Sequence, residues 1–257
     1  MPAMERLYRY QQNGAARFAL AIGDALYEVD GDVFGAHRRG REISGGLGSV
    51  KLLPPVTPGK IVCVGLNYKD HAAEQNKPLP AEPLLFIKPS TAVIGAGDAI
   101  QLPPGVGRVD HEAELGVVIG RRAHRVKTAE AWDYVYGLIC VNDVTARDLQ
   151  NRESQYTRCK GFDTFAPIGP CVARGLDGSP RAVQGLVNGQ TRQSSNTSHL
   201  IFPIDHLVEF ISFVMTLEPG DIISTGTPAG IGPLVHGDSV TVRVEGVGDL
   251  TNAVRNE

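Results

Sequence analysis

The sequence predicts a strand-rich α+β fold with a few short helices. The chain has 30 glycines and 17 prolines among its 257 residues, more than the roughly 12% that these two types together average in proteins. They separate short apolar segments, and this pattern is typical of many short strands joined by turns. The sequence lacks the regular strand–helix alternation of a doubly wound sheet or an eight-fold barrel. We therefore expect sheets connected mainly by turns.

The first 55 residues predict a small N-terminal β unit. The segments LYRYQQ, ARFALAIG and ALYEVD are typical of short strands, with glycine and aspartate between them. Residues 35–50 are polar and rich in glycine, which favours a loop. Three prolines between residues 52 and 60 mark a boundary, so we expect residues 56–257 to form the main domain.

Apolar segments of the main domain predict further strands. Residues 60–65 (KIVCVG) are continuously apolar, so they predict a strand buried on both faces. Other strands are expected in PLLFIKP, AVIGAGDAIQLP, AELGVVIG, GLICVNDV, DTFAPIGPCVA, IISTG and HGDSVTVRVEGVGDL. The dipeptide at residues 188 and 189 is Asn-Gly, a hairpin signal.

Four segments favour helices. Residues 67–75 suit a short helix with Asn67 as its cap, and residues 128–136 suit another that Thr128 caps. The segment TARDLQNRES predicts a helix or helical turn. Residues 205–217 have apolar side chains at helical spacing and predict an amphipathic helix that begins at Asp205.

Charge and cysteine usage argue against several classes of function. Lys and Arg number 25 and Asp and Glu 28, for a net charge of −3, which disfavours binding to nucleic acid or to an anionic membrane surface. No apolar run approaches the roughly 20 residues of a membrane span, and the first ten residues lack the apolar block of a secretory signal. The four cysteines are scattered, so we expect reduced thiols in a cytoplasmic protein.

Acidic residues alternate along the segment VDHEAELGVVI. On a strand, Asp110, Glu112 and Glu114 share one face, where carboxylates roughly 7 Å apart repel each other in a buried setting. A cation such as Mg²⁺, Mn²⁺ or Ca²⁺ would remove that repulsion, and a solvated acidic edge is the alternative. Asp143, within the apolar GLICVNDV, is either a third ligand or the cap of the next helix.

Other polar residues are candidates for acid–base and substrate-binding groups. His71 and Glu74 lie three residues apart, so the carboxylate can fix the tautomer of the imidazole and raise its basicity. Arg147 and Gln150 share a helical face that suits a substrate carboxylate. In each pair, an exposed polar helix is the alternative.

Two further segments suit an anion. Lys160 precedes a proline-rich apolar strand and could stabilise an oxyanion or enolate, or lie at the surface. The glycine loop STGTPAGIG, which contains Thr227, can direct N–H and hydroxyl groups at an anion. It lacks the G-K-[ST] ending of a nucleotide-binding loop, so we do not expect a nucleotide.

Seven segments, in this order, resemble the fumarylacetoacetate hydrolase family. They are VGLNYKDHAAE, FIKPSTAVIG, DHEAELGVVIG, GLICVNDVTARDLQ, KGFDTFAPIGP, LVNG and EPGDIISTGTPAGIG, and they span about residues 58–245. Each motif is modest alone, but the shared order is specific. The resemblance implies the family fold, a sandwich-like β roll of mixed sheets with a few short helices, usually assembled as a homodimer.

The resemblance also implies roles for nine residues. In the family, an E-x-E pair and a later aspartate hold Mg²⁺ or Mn²⁺, and these fall on Glu112, Glu114 and Asp143. The family's His-Glu lid dyad, lysine, substrate-contacting Arg and Gln, and loop threonine fall on His71, Glu74, Lys160, Arg147, Gln150 and Thr227. The long eukaryotic members have another acidic ligand where this chain has Val64, so the small bacterial members match better.

For such a member we expect a metal-dependent enzyme that acts on a 2-oxo acid. The first expectation is hydrolysis of a C–C bond in an acylpyruvate-like 2,4-dioxo acid, for example fumarylpyruvate or acetylpyruvate. The alternative is decarboxylation or isomerisation of a 2-oxo dicarboxylate, of the oxaloacetate or 2-hydroxyhepta-2,4-diene-1,7-dioate type. A non-catalytic scaffold that binds small anions is the interpretation from another class of protein.

Overall fold

Strands dominate the structure, a computed structural model that describes residues 4–23 and 25–257. The strands are β1 Glu5–Gln12, β2 Ala15–Ile22, β3 Ala25–Gly31, β4 His37–Glu42, β5 Lys51–Leu53, β6 Ile61–Gly65, β7 Leu84–Lys88, β8 Val93–Ile94, β9 Ala99–Leu102, β10 Val109–His111, β11 Ala113–Ile119, β12 Val135–Asn142, β13 Thr145–Ala146, β14 Ala166–Arg174, β15 Ala182–Val187, β16 Gln190–Asn196, β17 Ile222–Ser224, β18 Gly232–Pro233, β19 Ser239–Val244 and β20 Gly248–Asn256. The α-helices are α1 Lys69–Glu74, α2 Arg147–Arg152, α3 Thr157–Lys160 and α4 Ile204–Val214. Short 3₁₀ helices cover Gly46–Ser49, Ser90–Ala92, Thr128–Tyr134 and Thr197–His199. The expected strand-rich α+β fold is confirmed.

The sheets form a mixed sandwich. The large sheet follows the order β4-β3-β2-β1-β14-β12-β11-β17-β6-β7, with β5 beside β1 and β8 beside β14. Most of its pairs are antiparallel, but β17–β6 and β14–β8 are parallel. A second sheet, β16-β15-β19-β20-β9, lies against β11, β12 and β14. Leu115 and Val117 share one apolar core with Val242 and Leu250 of this second sheet, and that core fixes the position of β11.

The N-terminal strands extend the large sheet. β1 pairs with β14, and their register sets Leu7 opposite Val172. The domain boundary after residue 55 stays a prediction. The loop expected at residues 35–50 is wrong in part, because His37–Glu42 forms a strand beside β3. This strand lies at the edge of the sheet and is largely exposed, so it needs no apolar pattern, and its charged residues discourage further pairing.

The hairpin predicted at Asn188-Gly189 is confirmed. The two residues have φ of 52° and 76°, the left-handed values that the turn between two paired strands requires. They connect β15 and β16, with Val187 opposite Gln190. The turn sequence therefore places β16 beside β15.

Each of the four predicted helical segments contains a helix and α3 is an additional one, but both predicted caps are wrong. Asn67 does not cap α1, since its Nδ2 donates to the carbonyls of Phe202 and Thr225. The helix predicted at residues 128–136 is a 3₁₀ helix, and the Thr128 hydroxyl donates to Glu209. Both side chains thus make tertiary contacts.

Among the described residues, no helix is long and apolar enough to cross a membrane.

Candidate active site

The three predicted metal ligands come together because β11 and β12 are antiparallel neighbours. Their register sets Ala113 opposite Asn142, and the Asp143 N–H donates to the Glu112 carbonyl at 2.9 Å. One carboxylate oxygen each from Glu112, Glu114 and Asp143 lies within 4.8 Å of the other two, and all three residues are buried. We call these three residues the carboxylate cluster.

Asp110 does not join the carboxylate cluster. It belongs to β10, which pairs with β13 and β18 in a small separate sheet. Glu112 lies between β10 and β11, so the strand alternation is interrupted there. The Asp110 carboxylate accepts from Arg108 Nε at 2.6 Å and from Arg147 Nε at 2.8 Å. Asp110 therefore holds an arginine of the site.

Two buried lysines compensate the charge of the carboxylate cluster. Lys160 Nζ lies 2.8 Å from Glu112 Oε2 and 2.5 Å from Asp143 Oδ2. Lys88 Nζ donates to Asp143 Oδ1 at 2.6 Å and to the Val144 carbonyl at 3.1 Å. Neither lysine side chain is more than 2% exposed. A buried ammonium group is stable only with such partners.

Lys88 is a site residue that the sequence patterns do not single out. It ends β7, within the apolar run LLFIK. A lysine that interrupts an apolar strand is the available signal, because a buried lysine needs an acidic partner. That partner, Asp143, lies 55 residues away, so local spacing gives no indication of the pair.

Burial and charge move the pKa values of the two glutamates in opposite directions. Burial raises the pKa of Glu114 to about 8, and the nearby Asp143 and Glu112 carboxylates add to the rise. The Ser224 hydroxyl, 2.5 Å from Glu114 Oε2, opposes only part of it. Burial also disfavours the ionised form of Glu112. The positive charges of Lys160 and Arg147 outweigh that effect and hold the pKa of Glu112 far below its usual value.

The donor set fits a hard divalent cation. It consists of carboxylate oxygens alone, the donors that suit Mg²⁺ and Mn²⁺. With a pKa of about 8, Glu114 is mainly protonated at neutral pH in the protein without a cation. Its ionised form therefore lacks sufficient positive charge nearby, and a divalent cation at the carboxylate cluster would supply that charge.

The predicted His71–Glu74 pair is formed on α1. His71 Nδ1 lies 2.8 Å from Glu74 Oε2, and Glu74 Oε1 accepts from the Gly230 N–H at 3.0 Å. The other ring nitrogen, His71 Nε2, lies 2.7 Å from the side-chain nitrogen of Gln75. Because an ionised carboxylate only accepts hydrogen bonds, Glu74 places the proton of the neutral imidazole on Nδ1. Glu74 also ties α1 to the glycine loop.

Arg147 bonds to acidic residues of the protein as well as to its predicted partner. It begins α2 and donates to Asp110, to Glu112 and to the side-chain oxygen of Gln150. Burial works against its charge, but the two acids raise its pKa. The substrate-binding role of Arg147 and Gln150 stays a prediction.

The hydroxyl of Thr227 is held by a buried glutamine. It donates to the Ala113 carbonyl at 3.0 Å and accepts from Gln193 Nε2 at 2.8 Å. Gln193 also accepts from the Ala113 N–H at 2.9 Å, so it joins β11 to the glycine loop. It lies in β16, whose other residues are largely polar, and no pattern in the sequence marks it as a supporting residue.

One cavity of about 190 Å³ brings the predicted site residues together. Eight of the nine line it, namely His71, Glu112, Glu114, Asp143, Arg147, Gln150, Lys160 and Thr227. Glu74, the ninth, contacts His71. Phe86 forms part of the wall, and Lys160 Nζ lies 5.0 Å from the centre of its ring. The cavity thus combines carboxylates, ammonium groups and a histidine.

Known proteins have sequences related to most of this chain. The chain is similar to oxaloacetate tautomerase FAHD2A, mitochondrial, of Bos taurus. The two are 43% identical over 218 residues, which are 80% of this chain and 69% of that protein.

Solved structures match nearly the whole chain. The 5-carboxymethyl-2-hydroxymuconate delta-isomerase from Mycobacterium smegmatis is 42% identical, with a TM-score of 0.90 over 98% of this chain and 100% of that chain. The 2-hydroxyhepta-2,4-diene-1,7-dioate isomerase from Mycobacterium marinum is 40% identical, with a TM-score of 0.91 over 98% of each chain. The family model for the C-terminal region of fumarylacetoacetate (FAA) hydrolase matches residues 60–255. The chain therefore belongs to the fumarylacetoacetate hydrolase family, as its ordered motifs predict.

Proposed function

We propose that this protein transfers a proton between carbon and oxygen of a small 2-oxo dicarboxylate. The reaction is keto–enol tautomerisation of a compound such as oxaloacetate. One observation carries the proposal: His71 faces the same cavity as Lys160 and the carboxylate cluster. Support also comes from similar proteins whose names identify an oxaloacetate tautomerase and two isomerases.

We also propose Mg²⁺ or Mn²⁺ as the cofactor, held by Glu112, Glu114 and Asp143. When bound, such an ion supplies Lewis-acid polarisation of the 2-oxo group, which makes the neighbouring C–H bond more acidic. The buried oxygen ligands and the raised pKa of Glu114 support this choice of cation.

The charge balance around the cavity favours a dianionic substrate. Three of four buried acids form one ion-pair network with four basic side chains, and the fourth acid, Glu114, becomes ionised when a cation binds beside it, so the formal charges of the eight groups then cancel. The acids are Asp110, Glu112, Glu114 and Asp143, and the bases are Lys88, Arg108, Arg147 and Lys160. A divalent cation adds two positive charges, and the two carboxylates of a substrate would compensate them.

His71 is the group we propose to move the proton. In this step Nε2 accepts a proton from the carbon beside the 2-oxo group, and the C–H electron pair becomes part of an enolate. The imidazolium then donates the proton to the enolate oxygen, which gives the enol. Glu74 stabilises the imidazolium and Lys160 the enolate oxygen. Such acid–base catalysis contributes about 10²–10⁴-fold in rate.

Hydrolysis of an acylpyruvate-like 2,4-dioxo acid, the first expectation from the sequence, is the second candidate. The bond from His71 to Glu74 favours it as well, because a histidine held by a carboxylate can activate water. Decarboxylation of oxaloacetate reaches the same type of enolate by loss of CO₂ and needs no base. Tautomerisation and hydrolysis therefore differ in the group that His71 deprotonates, which is a substrate C–H bond in the first and a water molecule in the second.

One assay separates the candidates. Metal-stripped protein, supplied again with Mg²⁺ or Mn²⁺, is incubated with oxaloacetate, acetylpyruvate or fumarylpyruvate, and NMR follows the products against blanks of metal alone. We expect accelerated keto–enol interconversion of oxaloacetate and much slower formation of acetate or fumarate. Rapid acetate or fumarate together with pyruvate would contradict the proposal in favour of a hydrolase. Rapid pyruvate and CO₂ from oxaloacetate would favour a decarboxylase.

From the family resemblance we also propose a homodimer in the cytoplasm. Light scattering should then give twice the chain mass of 27.5 kDa. A value equal to one chain mass would contradict the dimer.

A further inference from the structure

Gln75 forms a hydrogen bond with the basic nitrogen of the proposed catalytic histidine. It follows the last residue of α1 and lines the cavity, and its Nε2 lies 2.7 Å from His71 Nε2. The other ring nitrogen donates to Glu74. The proton therefore lies on Nδ1, Nε2 carries the lone pair, and the Gln75 amide donates to that lone pair.

A hydrolase needs a water molecule at this same position. To activate water, Nε2 must accept a hydrogen bond from it, with the water oxygen about 2.7–3.2 Å away. The Gln75 amide nitrogen already lies at that distance from Nε2 and in the cavity. A water molecule and the Gln75 amide cannot both occupy this place.

We propose that Gln75 determines the reaction outcome, because it keeps water away from His71 and so favours proton transfer over C–C hydrolysis. The inference rests on the proposed function, since it takes His71 as the proton-transfer group. Gln75 is a positioning and selectivity residue here, and it takes no part in the covalent steps.

The two reactions differ in what must displace the amide. In tautomerisation the displacing group is the C–H of a substrate that is already held in the cavity, and such groups reach effective concentrations of about 10⁵–10⁸ M. In hydrolysis the displacing group is a water molecule with no such advantage. After the imidazolium has given its proton to the enolate oxygen, the Gln75 amide can donate again to the free lone pair of Nε2.

Oxygen-labelled water distinguishes hydrolysis from tautomerisation. The water oxygen forms a bond to the acyl carbon, the C–C bond to the pyruvate part breaks, and its electron pair becomes the pyruvate enolate. The proton that His71 took from water then goes to the enolate carbon, which gives a carboxylic acid and pyruvate. In H₂¹⁸O the acid released from acetylpyruvate therefore carries the label, whereas tautomerisation incorporates none by this route.

The test compares two substitutions of Gln75. Gln75→Ser removes the amide and leaves room for water, whereas Gln75→Met removes the hydrogen bond and keeps the volume. In Gln75→Ser we expect the ratio of acetylpyruvate hydrolysis to oxaloacetate tautomerisation to rise about tenfold, the size expected for one lost hydrogen bond. In Gln75→Met we expect a smaller rise. Gln11→Ser, at an exposed position of β1, is the matched control and should leave the ratio unchanged.

A second measurement does not depend on turnover. The ¹⁵N NMR shift of His71 Nε2 reports the hydrogen bond to its lone pair, and we expect it to change in Gln75→Met and not in Gln11→Ser. An unchanged shift in Gln75→Met would overturn the inference even if a variant were too unstable to assay.

The inference and the proposed function fail in different ways. If the wild-type protein tautomerises oxaloacetate but Gln75→Ser leaves the ratio unchanged, the role of Gln75 is wrong and the function stands. If the wild-type protein hydrolyses acetylpyruvate faster than it tautomerises oxaloacetate, both are wrong. If it does neither while the ¹⁵N shift changes as expected, the contact is real but the proposed function fails, and the selectivity role fails with it.

Discussion

The carboxylate cluster lies at the adjacent ends of the paired strands β11 and β12, whereas the His71–Glu74 dyad lies on a helix of six residues. The acids of the cluster are at most 5% exposed, and two of them, Glu112 and Asp143, bond to buried lysines. The side chain of Glu74 is 39% exposed, and α1 has no side-chain cap at its N-terminus. The cluster is thus fully enclosed, whereas the dyad combines a buried His71 with a partly exposed Glu74 on a short helix.

This difference separates two tasks. Holding a cation requires several negative charges close together, which only a stiff and fully compensated setting tolerates. Proton transfer to a substrate requires a group that the substrate can reach, and elements with few buried contacts open at low cost in free energy. We therefore expect substitutions in the cluster to change cation binding and stability, and substitutions in the dyad to change rate alone.

The largest effect should come from Glu114→Ala. The substitution removes one of three proposed ligands, so we expect Mg²⁺ affinity to fall by more than about 100-fold and turnover to be lost. Isothermal titration calorimetry measures the affinity. The exposed Glu82→Ala is the matched control. Wild-type affinity in Glu114→Ala would exclude Glu114 as a ligand.

His71→Ala should lower the tautomerase rate by about 10²–10⁴-fold, the contribution of one acid–base group. Its Mg²⁺ affinity should match that of the wild-type protein, because His71 is not part of the cluster. Steady-state kinetics and calorimetry on the same preparation check both statements. A near-normal rate would refute the role of His71 and weaken the contrast between the two parts of the site.

Lys88→Met should destabilise the fold by about 3–5 kcal/mol, because it leaves Asp143 with one lysine instead of two in a buried position. Added Mg²⁺ should restore part of the loss, since a bound cation replaces the missing charge. Denaturant unfolding with and without Mg²⁺ measures both effects. Lys51→Met, at an exposed position of β5, should cost far less. Equal stability of the two variants would show that Asp143 does not depend on Lys88.

Glu74→Gln should have the smallest effect. An amide oxygen can still accept from His71 Nδ1 but stabilises the imidazolium less, so we expect about a tenfold loss of rate, the range of a weakened charged hydrogen bond. Stability should change by less than about 1 kcal/mol, because the side chain is partly exposed. Kinetics and urea unfolding measure the two quantities. A stability loss as large as that of Lys88→Met would contradict the proposed division.

Local sequence patterns predict the strands well because each apolar segment ends at a glycine or proline. The family motifs also single out nine candidate site residues, eight of which line one cavity. What they miss depends on distant partners. The ion pair of Lys88 with Asp143 and the bonds of Gln193 to the glycine loop arise from sheet order, which no local window contains.

The errors in local structure have the same origin. Asn67 precedes a helix and has a side chain typical of a cap, but its amide donates hydrogen bonds to the carbonyls of two distant loops. Strand β4 lacks an apolar pattern because it lies at an exposed edge, where only the backbone pairing with β3 is needed. In both places tertiary contacts override local preference.

The pairing of β1 with β14 has a consequence for any shortened form of the chain. The family model begins at residue 60, which suggests a natural place to truncate. A chain cut there would lose β1, one of the backbone partners of β14, and Val172 would lose its contact with the side chain of Leu7. The bare edge would offer free N–H and C=O groups beside apolar side chains, the combination that promotes edge-to-edge aggregation. The N-terminal strands thus cover an edge of β14 that would otherwise be prone to aggregation.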